Sequence, residues 1–186
     1  MVDIPCSNVC KGAHSYHEGI KGDNADITKL LFVLNKPDKR VLVPTLYDID
    51  YEIALSKSRT GKVLIDILKF CNLTINDVYI TNLFKCVLPG DRVPRKKEYE
   101  KCVCVLEQQI KDFKPKKIIM FGRRAYEFMF PEHAKKNKLE DMVGQILCYD
   151  NIPSLISYHP GMLEQIFKKK QKREHYEKIK DFLISD

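Results

Sequence analysis

Four cysteines form two pairs whose spacing suits a shared metal centre. Cys6 and Cys10 lie near the N-terminus, while Cys86 and Cys102 lie far downstream. Cysteine thiolates bind zinc and the irons of iron–sulfur clusters, so two convergent pairs would form a four-thiolate site. Such a site would join the beginning of the chain to its middle, beside segment 78–86.

The spacing favours an iron–sulfur cluster over zinc. The first pair reads CxxxC rather than the CxxC of zinc ribbons, and fifteen residues separate Cys86 from Cys102. A cubane cluster tolerates irregular spacing because each iron needs only one protein thiolate. The alternatives left open are zinc, Cys104 in place of Cys102, and His14 or His17 in place of Cys10.

Cysteine usage and length predict an intracellular protein with one globular domain. Residues 1–20 contain no apolar secretory segment, and seven cysteines in such a chain indicate a reducing compartment rather than disulfides. A length of 186 residues with 44% hydrophobic content suits a single domain spanning 1–186. We expect no membrane association, because no apolar run is long enough to cross a bilayer.

The positive charge is concentrated in short basic runs. The net charge is +7, and the densest run covers residues 168–173. Basic surfaces attract polyanions through counterion release, which makes nucleic acid the expected partner, although lysine-rich helix faces are also ordinary solvated surfaces. The candidate phosphate contacts are Arg92, Arg95, Lys96, Lys168 and Lys169.

Short apolar runs alternate with amphipathic helical patterns. Strands are predicted at 30–34, 77–81, 117–121, 145–149 and 154–157, and helices at 62–70, 97–113, 123–130 and 174–184. Strands separated by helices imply right-handed crossovers and a mostly parallel sheet, in which ligands bind at the carboxyl ends of the strands. Those ends carry Asn35, Lys36, Asn82, Gly122 and His159.

Several motifs follow one another in a characteristic order. After the N-terminal cysteine pair come Val78-Tyr79-Ile80-Thr81-Asn82 with Lys85-Cys86, Pro89-Gly90-Asp91-Arg92-Val93-Pro94, Glu98 with Cys102, and His159-Pro160-Gly161-Met162-Leu163. In this order they resemble the family 4 uracil-DNA glycosylases, and the resemblance covers nearly the whole chain. It implies a three-layer α/β/α sandwich with a central, mostly parallel sheet of four to five strands. It also implies a [4Fe-4S] cluster on Cys6, Cys10, Cys86 and Cys102.

The resemblance assigns roles to residues at the strand ends. The amide of Asn82 would read the edge of a flipped uracil, and His159 would donate a hydrogen bond to uracil O2. Met162 and Leu163 would wedge into the gap left by the flipped nucleotide. The plainer alternatives are a loop-stabilising Asn82, a surface His159, and a helix core containing Met162 and Leu163.

Two motifs depart from the family pattern. Where the family has Gly-Glu before a small residue and Pro-Gly, this chain has Asn35 and Lys36, which change charge and flexibility at the expected reaction centre. Asn35 could still position a water by hydrogen bonding, but it cannot act as a general base. The family's Gly-Arg-Pro-Phe motif, which supplies the stacking ring, is missing, and this leaves Tyr47 or Tyr51 as replacements.

Three functions therefore compete. The first is a DNA repair glycosylase that hydrolyses uracil, or a related deaminated base, from DNA. The second is a non-enzymatic DNA-binding protein of the same fold that retains the cluster, and the third is a zinc-stapled interaction protein without a base-binding site. We expect a monomer that acts on DNA, and binding to a sliding clamp stays open.

Overall fold

A computed structural model of the chain describes residues 15–38, 50–92, 94–166 and 169–185. The strands in these ranges are β1 (Ser15–Tyr16), β2 (Ile20–Lys21), β3 (Leu30–Leu34), β4 (Tyr79–Asn82), β5 (Cys86–Val87), β6 (Lys117–Phe121), β7 (Ile146–Tyr149) and β8 (Ile152–Ser157). The α-helices are α1 (Ala25–Thr28), α2 (Tyr51–Ser56), α3 (Arg59–Phe70), α4 (Lys96–Phe113), α5 (Arg123–Met129), α6 (Pro131–Ala134), α7 (Leu139–Met142), α8 (Pro160–Ile166) and α9 (Lys169–Ile184).

Six of the described strands form the main sheet, in the order β2–β4–β3–β6–β8–β7. The four central strands β4, β3, β6 and β8 are parallel, whereas β2 and β7 pair antiparallel at the two edges. The sheet therefore has one strand more than the four to five predicted. The additional strand is β2, whose two residues are too few to produce a periodic sequence pattern.

The central strands are apolar because both faces of the sheet are covered. In β3, Leu30, Phe32 and Leu34 face one core cluster, while Leu31 and Val33 face the other. The first cluster includes side chains of α3, α8 and α9, and the second includes side chains of α4 and α5. This arrangement confirms the predicted three-layer α/β/α sandwich.

Local sequence signals define several helix ends. The Ser58 hydroxyl accepts a hydrogen bond from the Gly61 amide at 2.9 Å, so α3 begins three residues before the predicted start at 62. Lys114, with φ of 51°, ends α4 as predicted, and Pro115 follows it. Helix α9 begins before the predicted start at 174, so the later part of the basic run is helical.

Five short helices of the described ranges were not predicted, namely α1, α2, α6, α7 and α8. The segment that begins at Pro160 was expected to be either a loop or part of a helix core, and it forms a helix. In the described part of the chain, no helix combines the length and apolarity needed to cross a bilayer.

Candidate functional site

The carboxyl ends of the four parallel strands lie side by side and carry polar residues. Asn82 ends β4 and pairs in register with Leu34 of β3, so Asn35 follows on the neighbouring strand. Gly122 follows β6, and His159 lies two residues beyond β8. With strands about 4.8 Å apart, these four strand ends span about 14 Å. The predicted functional residues of this edge are therefore brought together by the fold.

Asn35 presents an unpaired oxygen in a fixed loop. Its backbone carbonyl accepts a hydrogen bond from the Phe84 amide at 2.9 Å, and the preceding Leu34 carbonyl accepts one from Leu83 at 2.7 Å. The side-chain oxygen Oδ1 of Asn35 is buried and has no hydrogen-bond partner among the described residues. A buried oxygen without a partner costs free energy, so the site favours a water or ligand donor there. Lys36 follows and is half-buried.

Asn82 is half-buried at the end of β4, and Lys85 holds its backbone carbonyl. The ammonium group of Lys85 donates to the Asn82 carbonyl oxygen and to the Thr81 hydroxyl, both at 2.6 Å. Lys85 is fully buried, and this burial lowers the pKa of its ammonium group to about 7, against opposing contributions from Cys102 and Glu18.

His159 is held in one tautomer when neutral. The Gly161 amide donates to Nδ1 of His159 at 3.2 Å, so the neutral ring carries its proton on Nε2. Burial lowers the pKa of His159 below its ordinary value of 6.5, which favours this neutral form at physiological pH. The ring therefore offers an Nε2–H donor.

Gly122 allows His159 to approach β6 closely. Its φ of +92° lies in the region that favours glycine, and a Cβ built there would lie 3.0 Å from Cβ of His159. The Gly122 amide also donates to the Ser157 carbonyl at 2.8 Å, which joins the ends of β6 and β8. A side chain at residue 122 would displace His159.

A buried serine–histidine pair fixes the end of β8. Oγ of Ser157 lies 2.9 Å from Nε2 of His175, which belongs to α9. Burial, with a smaller contribution from Lys178, lowers the pKa of His175 to about 4, so the pair is neutral near pH 7. This contact holds the strand end two residues before His159.

Two of the four predicted metal ligands are described, and both are buried. Cys86 is 4% exposed in β5, and Cys102 is 3% exposed in α4. Strand β1 pairs with β5 so that Tyr16 lies opposite Cys86, which brings the chain that follows residue 14 to this cysteine. Cys6 and Cys10 lie outside the described residues, within which no three potential ligand side chains come together.

The alternative ligand Cys104 is in a different position. It is exposed, and its thiol donates to the Glu100 carbonyl at 3.5 Å. Residues two apart point to different faces of a helix, so Cys104 cannot replace Cys102 without a rotation of α4. The buried pair Cys86 and Cys102 therefore fits a thiolate centre better than a pair that includes Cys104.

Arg92, a predicted phosphate contact, has a partner within the protein. Its guanidinium donates two hydrogen bonds, at 2.7 and 2.6 Å, to the carboxylate of Glu98. Glu98 is 5% exposed, and its carboxylate also accepts a hydrogen bond from the Arg95 amide. These hydrogen bonds lower the pKa of the Glu98 carboxyl to about 2, and the bond with Arg92 contributes most. Arg92 is thus part of a structural ion pair at the start of α4. Arg95 is exposed beside it, and the side chain of Lys96 lies outside the described part.

The basic run is partly neutralised by neighbouring acidic side chains. Lys172 lies 3.6 Å from Glu164 and 3.9 Å from Asp66, and Arg173 lies 3.6 Å from Glu177. These contacts are those of a solvated helix face, which was the alternative to DNA binding. Lys168 and the side chain of Lys169 lie outside the described residues.

The residues predicted to wedge into DNA or to stack on the base differ in their exposure to solvent. Leu163 is completely buried in α8 within the core, so its prediction as a DNA wedge is wrong, whereas Met162 is 37% exposed. Tyr51 begins α2 and packs against the same core. Tyr47 lies outside the described residues. Consecutive residues of a helix point in different directions, so in α8 Leu163 faces the core while its neighbour Met162 is partly exposed.

Three site residues had no assigned role in the sequence interpretation. In the sequence, Lys85 stands out only as the neighbour of Cys86 and Gly122 only as a strand end, and no pattern marks His175. A lysine inside the apolar run Leu83-Phe84-Lys85-Cys86-Val87 is a usable signal, because such a side chain must find acceptors when the run is buried. No local pattern identifies His175.

The fold and the site define an α/β sandwich protein with polar side chains gathered at the carboxyl ends of its parallel strands. The chain matches the family described as the uracil DNA glycosylase superfamily over residues 21–183, and it belongs to that family. The family expected from the motifs is thereby confirmed.

Several similar proteins are named type-4 uracil-DNA glycosylases. The one from Archaeoglobus fulgidus is 33% identical over 63% of this chain and 60% of its own length. The Pyrobaculum aerophilum protein is 32% identical over 54% of each chain, and the Saccharolobus solfataricus protein is 30% identical over 67% of this chain and 61% of its own. The chain thus matches between half and two thirds of the length of these relatives.

Proposed function

We propose that this protein is a DNA repair hydrolase that removes uracil, or a related deaminated base, from DNA and leaves an abasic site. The observation that carries the proposal is the convergence of Asn82, Asn35 and His159 on one edge of the sheet, at the carboxyl ends of β4, β3 and β8. The names of the relatives support the same activity. In this proposal, residues 1–186 form one domain that acts on DNA as a monomer.

Recognition of the base begins with its extrusion from the stacked duplex into the site. The Asn82 amide offers one donor and one acceptor, which match uracil O4 and N3–H. Cytosine presents a donor and an acceptor in the opposite order, so the same amide orientation would face it donor to donor. Asn82 therefore discriminates between these bases.

Bond cleavage develops negative charge on the departing base. As the bond between C1′ and N1 breaks, its electron pair moves to uracil, and Nε2–H of His159 donates to O2. A neutral His159 is suited to this donation because its other ring nitrogen already accepts from Gly161. His159 thus stabilises the transition state more than the bound substrate.

The attacking water is assigned to Asn35. Its buried Oδ1 can accept one water hydrogen and so orient the water oxygen toward C1′. The bond between C1′ and N1 breaks first and leaves a cationic sugar; the water oxygen then forms the new bond to C1′, and the proton that the water releases passes through solvent to the uracil anion. Because an amide is not a general base, the reaction depends on the electrophilic character of the sugar.

A [4Fe-4S] cluster would be held by Cys86 and Cys102 together with Cys6 and Cys10. The burial of the first two and the pairing of β1 with β5 support this ligand set. When bound, the cluster would join the N-terminal segment to β5 and α4. Its role would be structural, because base hydrolysis involves no net oxidation. For DNA contact we retain Arg95, Lys96, Lys168 and Lys169, with the exposed Met162 as the wedge.

Single-turnover release of uracil from labelled DNA tests the proposal. We expect wild-type protein to release the base and His159→Ala to be slower by about a hundredfold to a thousandfold, with DNA affinity nearly unchanged. The matched control is His133→Ala, because His133 is also a histidine but lies exposed on α6. Asn35→Ala should likewise slow cleavage, whereas Asn82→Ala should remove discrimination between uracil and cytosine.

The outcome separates the competing functions. Absence of product from wild-type protein on every deaminated base, with DNA binding intact, would favour the non-enzymatic DNA-binding function. Equal rates for the His159 and His133 variants would remove His159 from the mechanism while leaving the activity in place.

A further inference from the structure

Lys85 has an environment that ordinary packing does not require. Its side chain is fully buried, and the three hydrogens of its ammonium group meet three acceptors. These are the Thr81 hydroxyl at 2.6 Å, the Asn82 carbonyl at 2.6 Å and Oε1 of Gln109 at 2.5 Å. Burying a lysine is costly, so such an arrangement indicates a task that an apolar side chain would not perform.

The acceptors connect separate parts of the chain at one point. Thr81 and Asn82 end β4, whereas Gln109 comes from α4. The Glu18 carbonyl, between β1 and β2, accepts from the Thr81 hydroxyl at 2.9 Å and from Nε2 of Gln109 at 2.7 Å. Lys85 therefore stands at the centre of a polar network beneath the end of β4.

Within this network, Lys85 fixes the backbone of the residue proposed to read the base. Lys85 holds the Asn82 carbonyl, and the Leu83 amide of the same peptide unit donates to the Leu34 carbonyl at the end of β3. Among the described residues, no hydrogen bond to the Asn82 side-chain amide is found. The backbone contacts thus set the position from which that amide extends beyond the end of β4.

We propose that Lys85 is a positioning residue that orients Asn82 for selective recognition of uracil. It acts through the hydrogen bond from its ammonium group to the Asn82 carbonyl and does not touch the substrate. The proposal rests on the proposed function, because it assigns the cause of selectivity at the same site. Loss of the ammonium group should therefore weaken selectivity rather than general DNA binding.

The test compares two DNA affinities that do not depend on turnover. One duplex contains 2′-fluoro-deoxyuridine, which resists cleavage, and the other contains 2′-fluoro-deoxycytidine at the same position. We expect Lys85→Met to reduce the ratio of the two affinities by about tenfold to a hundredfold, the range for a hydrogen bond to a charged group. Affinity for undamaged duplex should stay within about twofold, since it arises from phosphate contacts.

Two matched variants separate positioning from general loosening of the network. Gln109→Leu and Thr81→Val each remove one acceptor of Lys85 but leave its bond to the Asn82 carbonyl. We expect both to keep the affinity ratio within about threefold of wild type. Combining Lys85→Met with Asn82→Ala should add less than about threefold to the loss caused by Asn82→Ala alone, because both changes remove the same recognition.

Three results would overturn the proposal. They are an unchanged ratio in folded Lys85→Met, an equal loss in Gln109→Leu, or fully additive losses in the double variant. If Lys85→Met does not fold, Lys85→Gln retains an amide donor and gives the same comparison with a smaller expected loss. A wild-type protein without preference for the uracil analogue would instead reject the proposed function itself.

Discussion

Acid should destabilise the folded protein through His175, and the size of the effect follows from the structure. Burial lowers the pKa of His175 from 6.5 to about 4, whereas in the unfolded chain it returns to its ordinary value. Between these values the unfolded state binds the proton and the folded state does not. The contribution of neutral His175 to the free energy of unfolding is therefore fully present above about pH 6.5, and it is lost as the pH falls toward 4. The difference corresponds to about 3 kcal/mol.

Thermal unfolding of wild type and His175→Gln, followed by circular dichroism at pH 7 and pH 4, measures this contribution. Glutamine can keep a hydrogen bond to Ser157 but does not titrate. For a domain of this size, about 3 kcal/mol corresponds to a change of about 6–12 °C in melting temperature. Between pH 7 and pH 4, the melting temperature of wild type should therefore decrease more than that of His175→Gln, and the two decreases should differ by this amount. His159, whose pKa burial also lowers, is present in both proteins and cancels. Equal acid shifts in the two proteins would show that His175 is not buried in its neutral form.

Two further changes test the strand ends and the cysteine centre. Gly122→Ala should slow single-turnover base release by about a hundredfold with DNA affinity unchanged, because the new Cβ would lie 3.0 Å from Cβ of His159; an unaltered rate would mean that His159 tolerates displacement. Cys102→Ala should abolish bound iron and sulfide in protein purified without air, whereas Cys104→Ala, on the same helix but exposed, should retain about four of each. One zinc per chain in wild-type protein would refute the cluster.

The layers of the fold could be predicted because their signals are local. Strands β3 and β6 are covered on both faces, so β3 appears in the sequence as an unbroken apolar run, and β6 does so after its first residue, Lys117. Helix α4 combines an amphipathic period with Lys114 and Pro115 at its end, and both features were visible. Strand β2 and helix α2 were missed, since short elements carry too few residues for a period.

The sequence also determined which polar residues meet at the strand ends. In a parallel sheet all carboxyl ends lie at one edge, so Asn35, Asn82 and His159 had to converge once their strands were identified. The motif order alone also indicated the family that the match over residues 21–183 establishes.

Only the tertiary structure decided what holds these residues in place. Lys85 bonds to Gln109 across 24 residues, and Ser157 contacts His175 across 18, between elements that no local pattern relates. It likewise placed Leu163 in the core and paired Arg92 with Glu98. Burial and hydrogen-bond partners depend on how distant segments pack, whereas periodicity reports only the face on which each side chain lies.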